Sequence, residues 1–498
     1  MAQGPPGAAA VAARRLLAGS GAIAFASLLG RLASIPASPY LTERIGPEGY
    51  GIAALVGTAA ALASVVGLLG LDVGYTRLAG DPTTPDAGGV SRLCWRLALG
   101  GALAAGLLAA VGFHALGVAP RAGPAGAGLS AVVALFTLLS ISTTLAGVRR
   151  RLEARYLRVA VALLVTGVGA VVANVLLAAY WRADEWALLG GSSIAMALGL
   201  AIAGVPVREI ARPSGLERPR AREVLALGLA ALGTAPANWI LSSADRWFLA
   251  AFHDEATVGV YSFAAQVGLI AGLVPVSVGA AWLPEVTRLS AEKGPEAAAA
   301  IARLWERVAA VYLVTWVAVS VAGGDLVRLL SAPAFHRGAA VVPAIAAAAV
   351  LNGFVQLGLS GFILARRLSS SILPWAAGAA LCAGLHLFLV PRYEIAGAAA
   401  ASATSFLLLA VVILRTAQRL FPVPLRYRRL GLAAVLALGA GALGAPPLSG
   451  DPLVSLLLKL PAGAAFAAVL AGLVAPEWLA GLFLKVRPSV PRPGDAPC

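Results

Sequence analysis

The sequence predicts an all-α polytopic membrane protein with fourteen transmembrane helices and both termini on the cytoplasmic side. Three observations carry this expectation. Of the 498 residues, 59% are hydrophobic and only 12% charged. A bilayer core takes about 20 apolar residues per helical span, so that composition leaves material for little else. Long apolar stretches recur along the whole chain, and no gap between them is long enough for a separate folded domain. Finally, of the 38 Lys and Arg residues, twenty-nine fall on alternate gaps and only seven on the gaps between those. Basic residues near helix ends stay cytoplasmic, so this alternation orients the chain.

The stretches are, in order, 17–39, 52–71, 97–118, 128–148, 159–180, 187–206, 224–244, 259–282, 308–323, 341–364, 372–391, 395–414, 431–448 and 453–475. In lipid the backbone must satisfy its own hydrogen bonds, which makes them helices rather than open strands. Arg14 and Arg15 precede the first. Inner clusters follow the even-numbered stretches, as with Arg149, Arg150, Arg151, Arg155 and Arg158 after the fourth and Arg415, Arg419, Arg426, Arg428 and Arg429 after the twelfth. The outer gaps hold Arg44, Arg121, Arg182, Arg246, Arg328, Arg337 and Arg392 against ten carboxylates, so that side is near neutral. A cleaved signal peptide is rejected, because losing the first stretch would invert the charge pattern downstream. Gly67, Gly70 and Gly74, and Gly100, Gly101 and Gly106, offer small faces for close helix approach.

Two polar, basic gaps act as joints. They divide the chain into an N-terminal lobe at 1–207 (helices 1–6), a cytoplasmic linker at 208–223, a C-terminal lobe at 224–414 (helices 7–12), a second cytoplasmic linker at 415–430, and helices 13 and 14 with a tail at 431–498. A third inner gap, 285–307, spaces Val286, Leu289, Ile301, Leu304 and Val308 helically among charges, the pattern of an amphipathic helix on the inner membrane surface. The second stretch opens with Gly49-Tyr50-Gly51-Ile52-Ala53 and the eighth with Val258-Gly259-Val260-Tyr261-Ser262, both after a short acid-bearing outer loop. Same-sense repeats six spans apart predict two six-helix lobes in parallel pseudo-repeat.

The net charge of +15 is mostly the cytoplasmic Arg surplus, so it needs no nucleic-acid ligand. Cys94, Cys382 and Cys498 lie far apart, the four histidines are scattered, and no metal-ligand spacing occurs. No cofactor is expected.

Several local patterns resemble one family. They are Ile45-Gly46-Pro47-Glu48-Gly49-Tyr50-Gly51 with Gly70-Leu71-Asp72, Ser243-Ala244-Asp245-Arg246 with Val258-Gly259-Val260-Tyr261-Ser262, Leu283-Pro284-Glu285, and Ala396-Gly397-Ala398-Ala399-Ala400-Ala401. In this order, with the span count, the chain resembles the polysaccharide (O-antigen type) flippases. Their superfamily also holds multidrug and toxic compound extrusion transporters and peptidoglycan lipid flippases. The resemblance implies translocation of a polyprenyl-pyrophosphate-linked oligosaccharide across the bacterial cytoplasmic membrane by alternating access. It also implies polysaccharide polymerase or glycosyltransferase partners.

Arg31 is the sharpest candidate for substrate binding, since a charge deep in a span costs from about 2.5 kcal/mol upward unless water or a partner meets it. One reading is a cavity cation whose planar fork takes two phosphate oxygens; the other is a snorkelling or structurally paired arginine. Asp245 and Arg246 read either as an outer gate pair and anion contact or as an interfacial ion pair ending a helix. Lys459 either binds ligand or snorkels to outer headgroups. Asn352 and Gln356, four apart, share a helix face; they and Asn174, Asn238 and Gln266 can read sugars or bond helix to helix at about 1 kcal/mol. Pro36, Pro39, Pro236, Pro275, Pro343 and Pro374 either interrupt or bend spans, as alternating access uses, or are simply tolerated, as membrane helices allow, and for any single one of them tolerance is the reading.

Two other classes compete with the flippase. A drug or cation antiporter of the same superfamily wants a buried carboxylate, for which Asp72 and Asp245 are the candidates, whereas the deepest charge is cationic. A polytopic glycosyltransferase or ligase needs catalytic groups on a substantial outer loop, and the longest outer segment, 323–340, holds only Asp325, Arg328, His336 and Arg337. A non-enzymatic transporter of anionic cargo is the expected function.

Overall fold

The computed structural model describes residues 6–81, 84, 86–115, 126–213, 215, 218–292, 296–444 and 446–474, and among these no strand occurs. Ten helices among the described residues are long and apolar enough to cross a membrane, which makes this a multi-pass membrane protein. Two of the ten contain a break. The first helix, α1 (Pro6–Leu68), leaves helical geometry at Gly46 with φ 74° and ψ 173°. The break falls between the first two expected spans. The long helix Ile372–Leu420 breaks at Glu394, with φ 48° and ψ −127°, between the eleventh and twelfth expected spans.

The remaining helices, in chain order, are α2 (Leu71–Ala79), α3 (Ala87–Ala115), α4 (Gly126–Leu152), α5 (Tyr156–Tyr180), α6 (Glu185–Ala203), α7 (Val207–Ile210), α8 (Arg218–Leu232), α9 (Ala235–Ser243), α10 (Asp245–Phe252), α11 (Glu255–Gly268), α12 (Leu273–Glu292), α13 (Ala297–Leu330), α14 (Val342–Leu364), α15 (Ile372–Leu420), α16 (Tyr427–Gly444) and α17 (Pro452–Val474). Each expected stretch coincides with helix over most of its length; the seventh is divided between α8 and α9. The residues form two compact units. Unit 1 comprises 1–264, 327–338 and 372–405; unit 2 comprises 265–326, 339–371 and 406–498.

Within unit 1, the repeated motif makes a reciprocal contact. A Cβ on Gly51 would lie 1.8 Å from the Glu255 carbonyl oxygen, and one on Gly259 would lie 1.8 Å from the Pro47 carbonyl oxygen. Residue 47 is spaced from 255 as 51 is from 259, so each copy of the motif offers the other the same surface, as across a two-fold axis. Only glycine permits this approach. Beside it, the rings of Tyr50, Phe263 and Phe335 pack edge-on with centroids 5.4 to 6.3 Å apart. Thr42 Oγ1 accepts the Ala332 N–H at 3.0 Å. The expected small face also forms, since Gly67 and Gly101 meet backbone to backbone, while Gly100 faces open space.

Elsewhere in unit 1, the arginines that orient the fourth span do structural work. Arg149 bonds Glu153 and Glu209, each at 2.8 Å. Arg150 donates from Nη1 to Glu153 at 2.6 Å and from Nε to the Ala203 carbonyl at 2.5 Å, capping the last turn of α6 with a cation. Burial raises the Glu153 carboxyl, but the bonds from Arg150 and Arg149 outweigh it and hold Glu153 below its ordinary value.

In unit 2, α13 is covered on two faces. One packs Ile301, Val308 and Tyr312 against Trp282, Val286, Ala346, Val350 and Leu357. The other packs Leu313, Val317 and Val321 against Ala433, Ala437 and Ala440 of α16 and Leu470 and Val474 of α17. The apolar residues expected to face lipid in the inner gap pack against protein instead. Val286, Leu289 and Ile301 are buried in protein as extensions of α12 and α13. A helical apolar period marks a covered face without saying whether lipid or protein covers it.

Candidate functional site

The interruption between α9 and α10 places Asp245 at the first position of a new helix, where a carboxylate is favoured. Asp245 is 5% exposed, so it is a buried carboxylate rather than the exposed interfacial group that a pair at a span end suggests. Its Oδ1 accepts the Arg246 backbone N–H and Arg246 Nη1, both at 2.9 Å, and its Oδ2 accepts the Tyr261 hydroxyl at 2.7 Å. The Arg246 guanidinium also lies 5.8 Å from the centroid of the Tyr261 ring. A buried charge is tolerated when paired and fully hydrogen-bonded, and here both carboxylate oxygens have donors. Arg246 gives Asp245 one guanidinium nitrogen, and its side chain keeps 12% exposure.

Next along α10, Trp247 donates from Nε1 to Thr58 Oγ1 at 3.0 Å and packs edge-on against Phe113. Trp247, Trp239, Phe113, Ala63, Leu108 and Gly112 line a cavity of about 300 Å³ within unit 1. Its walls are aliphatic and aromatic, which suits hydrocarbon rather than a charged group.

Arg31 lies on α1, exposed, and makes no ion pair or side-chain hydrogen bond among the described residues. Phe25, Leu28 and Leu32 nearby are also exposed. The reading as a structurally paired arginine therefore has no partner to rest on among those residues.

Lys459 does not reach for headgroups. Its Nζ stands 2.7 Å from Asp325 Oδ2, with the two side chains 3% and 0% exposed, in a close pair without an aligned hydrogen bond. Ser455 Oγ donates to the same oxygen at 3.1 Å. Asn352 and Gln356 share a face of α14, with Gln356 exposed. The Oδ1 atoms of Asn352, Asn174 and Asn238 are buried with no donor among the described residues. Asp72 is half-buried in α2. In the outer segment, His336 Nε2 stands 3.2 Å from the Ser331 carbonyl, and Arg337 donates to Thr257 and lies 3.6 Å from Glu394. Among the described residues no group of His, Cys, Asp and Glu is placed to hold a metal.

Two residues escaped sequence reasoning. Tyr261 appeared only as part of a repeat, yet it completes the Asp245 shell. His386 is fully buried, stacks on Phe248 at 5.2 Å and places Nδ1 2.7 Å from the Cys382 carbonyl, while Nε2 has no partner among the described residues. Its spacing of four from Cys382 was the available signal.

The family model described as polysaccharide biosynthesis protein matches residues 16–290, over half of the chain. No curated protein matches the chain. Among solved structures, the lipid II flippase MurJ in an inward closed conformation aligns with a TM-score of 0.68 at 13% identity, covering 93% of this chain and 100% of its own. The Vibrio cholerae MATE transporter VcmN aligns at 0.51 and 15% identity, covering 82% and 97%. A MOP superfamily transporter from Pyrococcus furiosus aligns at 0.50 and 14%, covering 81% and 95%. At such identities the shared property is the fold.

Proposed function

We propose a flippase function on the premise that this chain belongs to the polysaccharide biosynthesis protein family. Its substrate is a polyprenyl-pyrophosphate-linked oligosaccharide, moved from the inner to the outer leaflet of the bacterial cytoplasmic membrane for cell-surface polysaccharide synthesis. The observation that carries this reading is Arg31, an exposed cation on an apolar helix with no counter-charge among the described residues. A guanidinium so placed is suited to a pyrophosphate head, and Arg246 offers a second, partly committed fork. In this account Asp245 orients Arg246, Asn352 and Gln356 read sugar hydroxyls, and Lys459 acts through its position rather than by direct contact. Polymerase or glycosyltransferase partners act before and after translocation.

The topology belongs to the same proposal: fourteen crossings, both termini inside, and two six-helix lobes followed by two further helices. With that orientation, the Gly51–Gly259 contact and the Tyr50, Phe263 and Phe335 cluster lie at the outer side and seal it. Alternating access then requires that contact to part. An inside-negative potential favours outward movement of an anionic head by about 2.3 kcal/mol per charge per 100 mV.

Complementation tests the substrate-binding role. Arg31→Ala, at normal membrane level, is expected to abolish surface polysaccharide; normal export would remove Arg31 from the site. A cation antiporter remains the second reading, because Asp245 supplies a buried carboxylate. A resistance and efflux assay separates the two, with drug efflux lost in Asp245→Asn favouring the antiporter.

A further inference from the structure

The Arg-rich ends of the two units differ in their counter-charges. In unit 1 the carboxylates Asp86, Glu153, Glu209 and Glu223 meet Arg92, Arg149, Arg150 and Arg220. In unit 2, Arg288 is held between Glu285 and Glu292. By contrast, residues 326–450 carry a single carboxylate side chain, Glu394. Within that acid-poor stretch, Arg366, Arg367, Arg415, Arg419, Arg428 and Arg429 of unit 2 are exposed and have no ion-pair partner among the described residues. Among the described arginines of unit 2 in that stretch, Arg426 alone approaches a carboxylate, Glu306, at 4.0 Å.

Arg366, Arg367, Arg415 and Arg419 are drawn from two helix ends that pack together, and Arg428 and Arg429 open the next helix, α16. A Cβ on Gly361 of α14 would meet Ala417 of α15 at 3.0 Å, so Arg366 and Arg367 follow one side of a contact whose other side is flanked by Arg415 and Arg419. The turn after α14 is tight. Arg367 N–H bonds the Phe362 carbonyl at 2.8 Å and Arg366 N–H the Ile363 carbonyl at 2.9 Å, with Arg366 at φ 55°. That position ends a helix in the left-handed region, where glycine is the unstrained residue, yet the sequence places a cation there. The same helix ends line an apolar cleft formed by Leu364, Leu414, Phe421, Trp282 and Trp305. Beyond the turn, Leu368 is exposed. The helix ends that carry these unpaired guanidinium groups thus share a cleft with two indoles and with aliphatic side chains. That is the combination met by a molecule with an anionic head and a hydrocarbon body.

We propose that this end of unit 2 is a binding site for anionic phospholipid. The arginines take the phosphate of the headgroup, and the cleft with Leu368 takes the upper part of an acyl chain. The site goes beyond the flippase reading and stands whether or not the cargo is a lipid-linked sugar. It also differs from the arginine surplus that orients helices, which asks for no bound lipid.

The test uses the full-length protein in neutral detergent. Retention of dioleoyl phosphatidylglycerol or dioleoyl phosphatidylcholine is read by native mass spectrometry, with thermal unfolding in parallel. One variant carries Arg367→Gln, Arg415→Gln, Arg419→Gln, Arg428→Gln and Arg429→Gln. A control removes the same charge from exposed positions of unit 1: Arg96→Gln, Arg151→Gln, Arg158→Gln, Arg208→Gln and Arg222→Gln. The expected result is that phosphatidylglycerol binds and raises the unfolding temperature of the parent and the control. The unit 2 variant is expected to bind at least about tenfold more weakly. The corresponding five Arg→Lys changes, which preserve charge, are expected to keep most of the binding, so a folding failure in the Gln variant still leaves a readable pair. Equal loss in both Gln variants would mean that net charge alone attracts lipid and would overturn the proposal. So would equal retention of phosphatidylcholine, or full displacement of the lipid by inorganic phosphate.

Discussion

Two buried acid–base pairs are built on opposite principles. Asp245 and Arg246 are neighbours in sequence, and the carboxylate is saturated by a backbone N–H, a guanidinium and the Tyr261 hydroxyl. The arginine keeps surface and donors of its own. Asp325 and Lys459 join distant parts of the chain, from α13 to α17, with both charges sealed off and one carboxylate oxygen taking both Lys459 and Ser455. The two cations therefore differ in the donors they have left. Lys459 is a compact charge already matched, so the pair acts as a clasp holding α17 to α13. Arg246 is a planar fork held in place by its partner, with capacity to spare.

The largest expected effect comes from breaking the clasp. Asp325→Ala leaves a buried ammonium unpaired and is expected to destabilise by about 3–5 kcal/mol, read as a lower unfolding temperature and reduced membrane level. Asp325→Leu with Lys459→Met should recover much of that loss, because a buried pair can be exchanged for apolar packing nearly neutrally. A double variant as unstable as the single would contradict the clasp. Next, Tyr261→Phe removes one donor to a charged group and is expected to cost about 1.5–3 kcal/mol while lowering transport, since Asp245 then holds Arg246 less firmly. Arg246→Lys keeps the charge but not the fork. It should leave unfolding almost unchanged and still reduce transport, an effect that a merely structural arginine would not give.

A smaller effect concerns pH. Glu153 is held below its ordinary value by Arg150 and Arg149, so its contribution to stability is present at pH above the ordinary glutamate value. It is lost as pH falls through the depressed folded value. Glu153→Gln should therefore flatten the acid limb of a stability profile, read by unfolding temperature at a series of pH values. The smallest effect is at Arg288, whose exposed bonds to Glu285 and Glu292 should give no measurable change on Arg288→Ala.

Much of the architecture was legible because lipid imposes simple rules on sequence. Helical stretches follow from apolar length, and the Gly67–Gly101 crossing follows from small residues on one face. The repeated motif was visible in sequence, and the reciprocal Gly51–Gly259 contact gives it a physical cause. What stayed hidden required long-range pairing. Nothing local to Lys459 points to Asp325, and a lysine in an apolar stretch reads the same whether it snorkels or is clasped. The span-end position of Asp245 suggested exposure, and only the packing around it reveals a buried carboxylate. His386 was lost among scattered histidines, because its stacking on Phe248 joins helices far apart in the chain.

The proposed cargo is an anionic lipid-linked sugar whose head meets Arg31. The most direct test is transbilayer movement of a fluorescent polyprenyl-pyrophosphate-linked oligosaccharide in sealed vesicles containing the purified protein. The account expects rapid movement with the parent protein, little above empty vesicles with Arg31→Ala, and normal unfolding temperature for both. Movement no faster than in empty vesicles for the parent, with the protein folded and membrane-inserted, would contradict it.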